Sequence, residues 1–174
     1  GIPEKVVNSN VKWRSPSSDF CEKIAEFSKK FSTKNPYKFL KILCEGDGSK
    51  RLPIKLPKDG EPVFFPKTDT VIGVIGLSCL GKPIKETLFR YELLPNLTSL
   101  DNYFIKSLQS ADIVTTDFLY RLCLSEKGLR KNITSQKFCI IFNQADILDE
   151  KALAEVITLR NQLQTKGICS HIIS

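Results

Sequence analysis

Short runs of mostly apolar residues, separated by helical segments, constrain the fold of this chain more than any other feature. Three such runs are Val71–Ile75, Lys137–Phe142 and Ile168–Ile173. A long helical pattern joins the last two; Asp149 is its predicted N-cap and Lys166-Gly167 its end. Strands that alternate with helices and lack an apolar–polar alternation are typical of parallel sheets covered on both faces. We therefore predict a three-layer α/β fold with a mostly parallel sheet.

The size of the chain favours one domain. It has 174 residues, of which 41% are apolar and 26% charged, which excludes a disordered chain. The longest apolar runs fall far short of the ~20 residues that cross a bilayer, so we expect no membrane partner and a cytoplasmic location. The chain has no methionine, not even at its start. We expect residues 1–174 to form a single α/β domain, the C-terminal part of a larger protein.

The net charge indicates an anionic partner. Lysine and arginine total 26 against 19 acidic residues, which gives a formal charge of +7. Such a balance suits an anionic partner such as a nucleotide, phosphate, nucleic acid or an acidic protein. The interleaved basic and aromatic residues of RNA-binding proteins are absent, so nucleic acid is not expected. The same excess of lysine is also common in cytosolic proteins that bind no anion.

The cysteines predict a reduced protein. None of the six forms a C-x-x-C motif, and Cys44, Cys139 and Cys169 lie in strand-like apolar segments. Isolated cysteines in such segments are small core residues. His171 is the single histidine, so the sequence offers too few ligands for a metal site of the usual His/Cys kind.

The remaining segments give weaker signals. Residues 1–16 show no periodicity, and prolines and glycines in 48–70 predict a loop. Further predictions are a helix over 19–32, a strand at Lys38–Cys44, a short helix or loop over 84–94, a helix after Thr98 or Ser99, and a helix that Thr116 caps and Gly128 ends.

Two carboxylates follow the predicted strand Lys38–Cys44. In Glu45-Gly46-Asp47-Gly48, Glu45 and Asp47 are candidates to bind Mg²⁺ or to orient a water. Ligands of open α/β sheets bind beyond the carboxyl ends of the strands, where this segment is expected. The alternative is an ordinary Asp-Gly turn.

A second candidate follows the strand Lys137–Phe142. The segment Asn143-Gln144-Ala145-Asp146 resembles the N-K-x-D guanine-recognition signature of P-loop GTPases. There, an acceptor-only carboxylate facing two donors distinguishes guanine from adenine. Gln144 stands where that signature has lysine. The alternative is a strand-to-helix turn.

A third candidate is the glycine-containing segment from Gly76 to Pro83. It matches G-x-x-x-x-G-K, but Pro83 replaces the Ser or Thr that would bind Mg²⁺ and removes a backbone N–H. We interpret it as a false phosphate loop in which Lys82 remains a candidate contact for an anion.

Several motifs in order resemble the YqeC family, whose members are described as accessory proteins for selenium-dependent molybdenum hydroxylases. The similarity spans about Leu40 to Ile157. It includes E-G-D-G-S-K-R-L-P-I-K at Glu45–Lys55, E-P-V at Glu61–Val63, V-I-G-L-S-C-L-G-K-P ending at Pro83, Arg90, and F-N-Q-A-D at Phe142–Asp146. Gly46 stands where the family usually has alanine, and Phe89 where histidine often precedes the arginine.

The resemblance implies a P-loop-NTPase-like (Rossmann-like) protein whose N-terminal phosphate loop is missing here. It implies GTPase-like nucleotide binding in maturation of a selenium- and molybdenum-containing hydroxylase cofactor, with Mg²⁺ and GTP or ATP. Catalysis, as an NTPase, would belong to the full-length protein, with Glu45 and Asp47 as catalytic and metal residues. The implied cofactor-binding residues are Gly48, Ser49, Lys50, Lys55, Gly76, Gly81, Lys82, Arg90, Asn143 and Asp146. Partners would be a nucleotide and a molybdenum hydroxylase or its cofactor.

Two other functions fit the same residues. The first is a non-catalytic carrier or scaffold that binds an anionic cofactor or a hydroxylase subunit through Lys50–Lys58 and the loop Gly76–Pro83. The second is a nucleotide-dependent kinase or transferase. A phosphate loop upstream of Gly1 would favour the enzymes over the scaffold.

Overall fold

The computed structural model describes residues 2–7, 10–14, 19–20, 22–24, 26–27, 30, 43–65, 67–97 and 112–174. Two compact units emerge. The first comprises Gly1–Glu45 with Phe64–Thr68, and the second comprises Gly46–Val63 with Asp69–Ser174. Within the described ranges, no helix has the length and apolarity needed to span a bilayer.

The first unit begins with a β-hairpin. Strand β1 (Ile2–Val7) pairs antiparallel with β2 (Asn10–Arg14). The prediction of an irregular N-terminus was wrong here. The register shifts between Pro3 and Lys5, and such an irregularity hides the two-residue alternation by which a strand is recognised.

The rest of the first unit bears out one prediction and corrects another. The described residues between 19 and 30 are helical, as predicted for 19–32, and Lys23 pairs with Asp19 one turn earlier at 2.9 Å. Leu43 and Cys44, the end of the predicted strand Lys38–Cys44, form no strand and are exposed. Short apolar runs are ambiguous without a pairing partner. The remainder of that strand and the helix predicted after Thr98 or Ser99 lie outside the described residues.

A parallel sheet forms the centre of the second unit. Its strands are β4 (Thr70–Gly76), β6 (Lys137–Asn143) and β7 (Cys169–Ile172), in the order β4-β6-β7. All three strands were predicted, and the α/β class and the parallel pairing are confirmed. A second, two-stranded parallel sheet pairs β3 (Ile54–Lys55) with β5 (Leu88–Phe89).

Helices pack on one face of the three-stranded sheet. After the short α1 (Ile84–Thr87) come α2 (Thr116–Leu124) and α3 (Glu150–Thr165). The described residues of this unit also form three 3₁₀ turns, Leu77–Cys79, Tyr91–Asn96 and Ala145–Ile147. The core joins side chains of the strands to side chains of α2 and α3: Ile75, Ile140, Phe142, Phe118, Leu119, Leu122, Val156, Leu159 and Leu163.

The helix ends follow capping chemistry. Asp149 accepts from the Ala152 N–H at 2.7 Å, as predicted, and Gly167 has a φ of +76° just beyond α3. Two details were wrong. Thr115, not Thr116, caps α2, by accepting from the Phe118 N–H at 3.1 Å, and this helix ends at Leu124 rather than Gly128. In α3, Ile157 is 40% exposed, whereas Leu159 is buried in the core.

The other face of the sheet has a different character. Ile72 and Val74 of β4 are 46% and 55% exposed, and Cys169 and His171 of β7 are exposed as well. Cys139 of β6 is half-buried. The prediction that Cys139 and Cys169 are core residues was therefore wrong, because it assumed equal cover for both faces. It was also wrong for Cys44, which is exposed and lies in no strand. The buried thiols of the described chain are instead Cys79 and Cys123.

Candidate functional site

A charged cluster occupies the ends of the small β3–β5 sheet. We define it as Asp47, Lys55, Glu61 and Arg90. Lys55 and Phe89 are register partners on the two strands, and Arg90 follows Phe89 directly with a φ of 66°. This left-handed backbone is unusual for a residue other than glycine. It places the guanidinium of Arg90 on the same cluster as the ammonium of Lys55.

Glu61 is the centre of the charged cluster. Its Oε1 accepts from Arg90 Nη2 at 3.0 Å, its Oε2 also contacts Arg90 Nη1, and Lys55 Nζ lies 3.0 Å from the same Oε2. Lys55 Nζ also pairs with Asp47 Oδ1, and Arg90 Nη1 donates to the Leu56 carbonyl at 3.2 Å. These four side chains are only 11–22% exposed. Two anions and two cations thus neutralise one another with little access to water.

The pKa values reflect this pairing. The hydrogen bond from Arg90 lowers the pKa of Glu61 to about 2, with Lys55 adding to the effect against the opposing influence of burial. The same hydrogen bond raises the pKa of Arg90. Glu61 is therefore a permanent carboxylate near neutral pH, and it is too weak a base to accept a proton in catalysis.

Three cations surround the ring of Phe89. Arg90 Cζ, Lys50 Nζ and Lys55 Nζ lie 4.8, 5.1 and 5.7 Å from its centroid, within the range of cation–π attraction. Phe89 is therefore a common contact for three positively charged side chains.

A tight turn presents further positive charge beside this ring. The Leu52 N–H donates to the Ser49 carbonyl at 3.0 Å, and the two residues between them, Lys50 and Arg51, have φ values of 52° and 65°. Both are exposed. We call Ser49–Leu52 the basic turn. Residues other than glycine rarely adopt this left-handed backbone conformation, and such strain is concentrated at functional sites.

The expected Mg²⁺ site at Glu45 and Asp47 has a donor set that fits the ion poorly. Lys55 Nζ pairs with Oδ1 of Asp47, so a metal ion at that oxygen would have to displace an ammonium group. Glu45 is exposed. Asp47 therefore acts in this arrangement as the counter-ion of Lys55.

The glycine-containing loop uses its N–H groups within the fold. The N–H groups of Leu80, Gly81 and Lys82 donate to the carbonyls of Leu77, Val114 and Cys79 at 3.0–3.1 Å. A phosphate cradle needs such groups free. This bonding agrees with the interpretation of the segment as a false phosphate loop. Lys82 is exposed. Burial raises the pKa of the Cys79 thiol to about 12, which makes it a poor nucleophile.

The Asn143–Asp146 segment ends β6 at the carboxyl edge of the sheet. Asn143 is the register partner of Gly76, so these two predicted residues do lie together. Asn143 Oδ1 accepts from the Gln144 N–H at 2.9 Å, and Gln144 has a φ of 68°. Asp146 is exposed and, within the described residues, forms no hydrogen bond or ion pair. The local geometry is a strand-to-helix turn that leaves the Asp146 carboxylate accessible.

Gly76 connects this edge of the sheet with the segment that leads to the charged cluster. Its N–H donates to the Pro53 carbonyl at 2.9 Å, and a Cβ at Gly76 would lie 3.0 Å from Pro53 Cβ. The start of β3 therefore passes against the carboxyl end of β4. Ligands bind at this end of the strands in open α/β sheets.

Two members of the site were missed as candidates. Glu61 lies within E-P-V and Phe89 directly before Arg90, so both stand in motifs that the sequence displays. Their roles depend on which partners the fold supplies. The sequence also predicted too few ligands for a metal site. The structure nevertheless brings the ligand atoms of Cys139, Cys169 and His171 together.

Comparison with known proteins identifies one family. The sequence model of a family described as YqeC protein matches residues 4–92, about half of the chain. The match includes the charged cluster, the basic turn and the glycine-containing loop, but not Asn143–Asp146. No curated protein and no solved structure matches the chain.

Proposed function

We propose that this chain, which belongs to the YqeC protein family, binds a phosphate-like anionic ligand at the basic turn, which the neighbouring charged cluster supports. Family membership suggests an accessory role in maturation of selenium-dependent hydroxylases. The ligand would then be a nucleotide or an anionic cofactor of such an enzyme, held for transfer rather than chemically changed by this chain.

The uncompensated charge of the basic turn carries the proposal. The nearby carboxylates of Asp47 and Glu61 are already paired with Lys55 and Arg90. Lys50 and Arg51 are exposed and form no ion pair within the described residues. Charge-assisted hydrogen bonds from lysine and arginine are the usual means of binding phosphate groups.

The charged cluster supports this role mechanically. Lys55 pairs with the side chain of Asp47 before the turn, and Arg90 donates to the Leu56 carbonyl after it. The ring of Phe89 lies 5.1 Å from the ammonium of Lys50. A ligand would therefore meet cations whose positions are set before it binds, which lowers the entropic cost of association.

Titration calorimetry with inorganic pyrophosphate tests the proposal. The variants Lys50→Gln and Arg51→Gln remove the charge but keep an unbranched polar side chain and the backbone demand of the turn. We expect each to weaken binding about tenfold and the pair about a hundredfold. Lys151→Gln on α3, an exposed lysine of another element, is the control and should change nothing. Equal affinities for the double variant and the control would refute the site.

A second candidate is guanine recognition by Asp146, which its accessible carboxylate at the carboxyl edge of the sheet supports. This candidate concerns a longer protein that carries the phosphate loop upstream. There, GTP should bind more tightly than ATP, and Asp146→Asn should abolish the preference by a tenfold to hundredfold loss of GTP affinity. If GTP and ATP bind alike and the variant changes neither, the segment is a turn.

A further inference from the structure

We infer that Cys139, Cys169 and His171 form a metal site for Zn²⁺ on the exposed face of the parallel sheet. We call these residues the thiol–imidazole cluster. The proposal is independent of the anion site, because none of its residues belongs to the charged cluster or the basic turn.

The sheet register builds the cluster. Cys139 of β6 and Cys169 of β7 are direct register partners, so their side chains project from the same face of neighbouring strands. His171 follows Cys169 by two residues and therefore returns to that face. Ligands fixed on paired strands are held more rigidly than ligands on loops.

The distances fit a single ion. The three ligand atoms all lie within 4.8 Å of one another, and Cys169 Sγ is 3.5 Å from His171 Nε2. Zinc bonds of about 2.3 Å to sulfur and about 2.0 Å to nitrogen place two ligands of a tetrahedral ion roughly 3.5–3.8 Å apart. Small rotations of the side chains would bring all three atoms to these separations.

The chemistry of the ligands selects the ion. Two thiolates and an imidazole are soft to borderline ligands, which favour Zn²⁺ over Mg²⁺ or Ca²⁺. Two thiolates also balance the charge of a divalent cation. The described residues offer three ligands here, which leaves a fourth position for water or an incoming group, as in zinc sites that act on a ligand.

The test uses Co²⁺ as a spectroscopic substitute and Zn²⁺ as its competitor, with the whole chain kept reduced by a phosphine. One equivalent of Co²⁺ should produce sulfur-to-cobalt charge-transfer absorption in the near ultraviolet and the visible bands of a tetrahedral ion. Zn²⁺ should abolish both signals by displacement.

Variants distinguish this cluster from adventitious binding. Cys169→Ser and His171→Asn change exposed residues and should leave the far-ultraviolet circular dichroism unchanged, while each weakens Co²⁺ binding about a hundredfold or more, beyond the tenfold to hundredfold cost of losing a supporting residue. Cys44→Ser removes an exposed thiol of the first unit and should bind as tightly as the parent. A parent protein without the charge-transfer band, or a Cys169→Ser variant that retains it, would overturn the proposal.

Discussion

The charged cluster and the three-stranded sheet are stabilised by opposite kinds of interaction. The sheet buries Ile75, Ile140 and Phe142 completely under α2 and α3, and this packing involves no charge. The cluster holds four charged groups that are little exposed and satisfies them by ion pairs. Apolar packing depends little on pH and salt, whereas ion pairs depend on both. In this unit, apolar packing therefore stabilises the sheet, and ion pairs stabilise the charged cluster.

The same comparison separates structural cations from those available to a ligand. Lys55 and Arg90 form ion pairs with Asp47 and Glu61, so the loss of either positive charge should mainly lower the stability of the fold. Lys50 and Arg51 project from the basic turn, so their removal should act mainly on binding.

The largest expected effect lies in the sheet. Phe142→Ala should lower the free energy of unfolding by about 3–5 kcal/mol, because it leaves a cavity in a fully buried core. Ile72→Ala on the exposed face should cost well under half as much. Urea unfolding at two salt concentrations would measure both losses, which should not change with salt. Equal losses at the two positions would show that the faces are covered alike.

Breaking the cluster should have the next largest effect. Glu61→Gln removes the carboxylate that Arg90 and Lys55 share, and should cost about 2–3 kcal/mol in the same assay. Asp117→Asn breaks the exposed pair with Arg121 on α2 and should cost about 0.5 kcal/mol or less. A Glu61 variant as stable as the Asp117 variant would mean that the cluster contributes no more than a surface ion pair.

The pH dependence of that difference sharpens the comparison further. The pKa of Glu61 is lowered from 4.5 to about 2 by Arg90 and Lys55, so the unfolded chain takes up the proton first as the pH falls. Its contribution is full above pH 4.5 and is lost as the pH falls through 2. The difference in stability between the parent protein and Glu61→Gln should therefore stay constant down to pH 4.5 and then shrink as the pH falls to about 2. A difference that remains undiminished at pH 2 would contradict this assignment.

A smaller effect is expected where the two regions meet. Gly76→Ala would place a Cβ 3.0 Å from Pro53 Cβ and 2.9 Å from Gln144 Oε1, and should cost about 1–2 kcal/mol by overpacking. At Gly46, the atom nearest to an added Cβ is the Val63 carbonyl oxygen at 3.8 Å. Gly46→Ala should therefore be neutral or stabilise by a few tenths of a kcal/mol. Thermal unfolding of the two variants would decide, and a destabilised Gly46→Ala would contradict the described loop.

The strands and helix of the parallel sheet were predictable from sequence because their signals are local. Apolar runs marked β4, β6 and β7, and the Asp149 cap with Gly167 marked both ends of α3. The hairpin of the first unit was missed because Pro3 interrupts its alternation. The strands β3 and β5 have two residues each, too few for any pattern to identify.

The sites were predictable as residue types but not as arrangements. Asp47, Lys55 and Arg90 stood out in motifs, yet their mutual pairing depends on Glu61, 29 positions before Arg90, and on the β3–β5 contact. Cys139 and the pair Cys169 and His171 lie on different strands, and only the β6–β7 register brings them together. Long-range pairings of this kind follow from topology, which local periodicity does not contain.

The most direct test of the account compares Lys50→Gln with Lys55→Met in two assays. For each variant, calorimetry gives the affinity for pyrophosphate and urea unfolding gives the stability. We predict that Lys50→Gln loses about tenfold in affinity with a change in stability below about 0.5 kcal/mol. Lys55→Met should instead lose about 2 kcal/mol or more of stability, because Asp47 and Glu61 lose their shared cation. The opposite pattern, with Lys50 needed for stability and binding unaffected by its loss, would contradict the division between structural and ligand-binding cations.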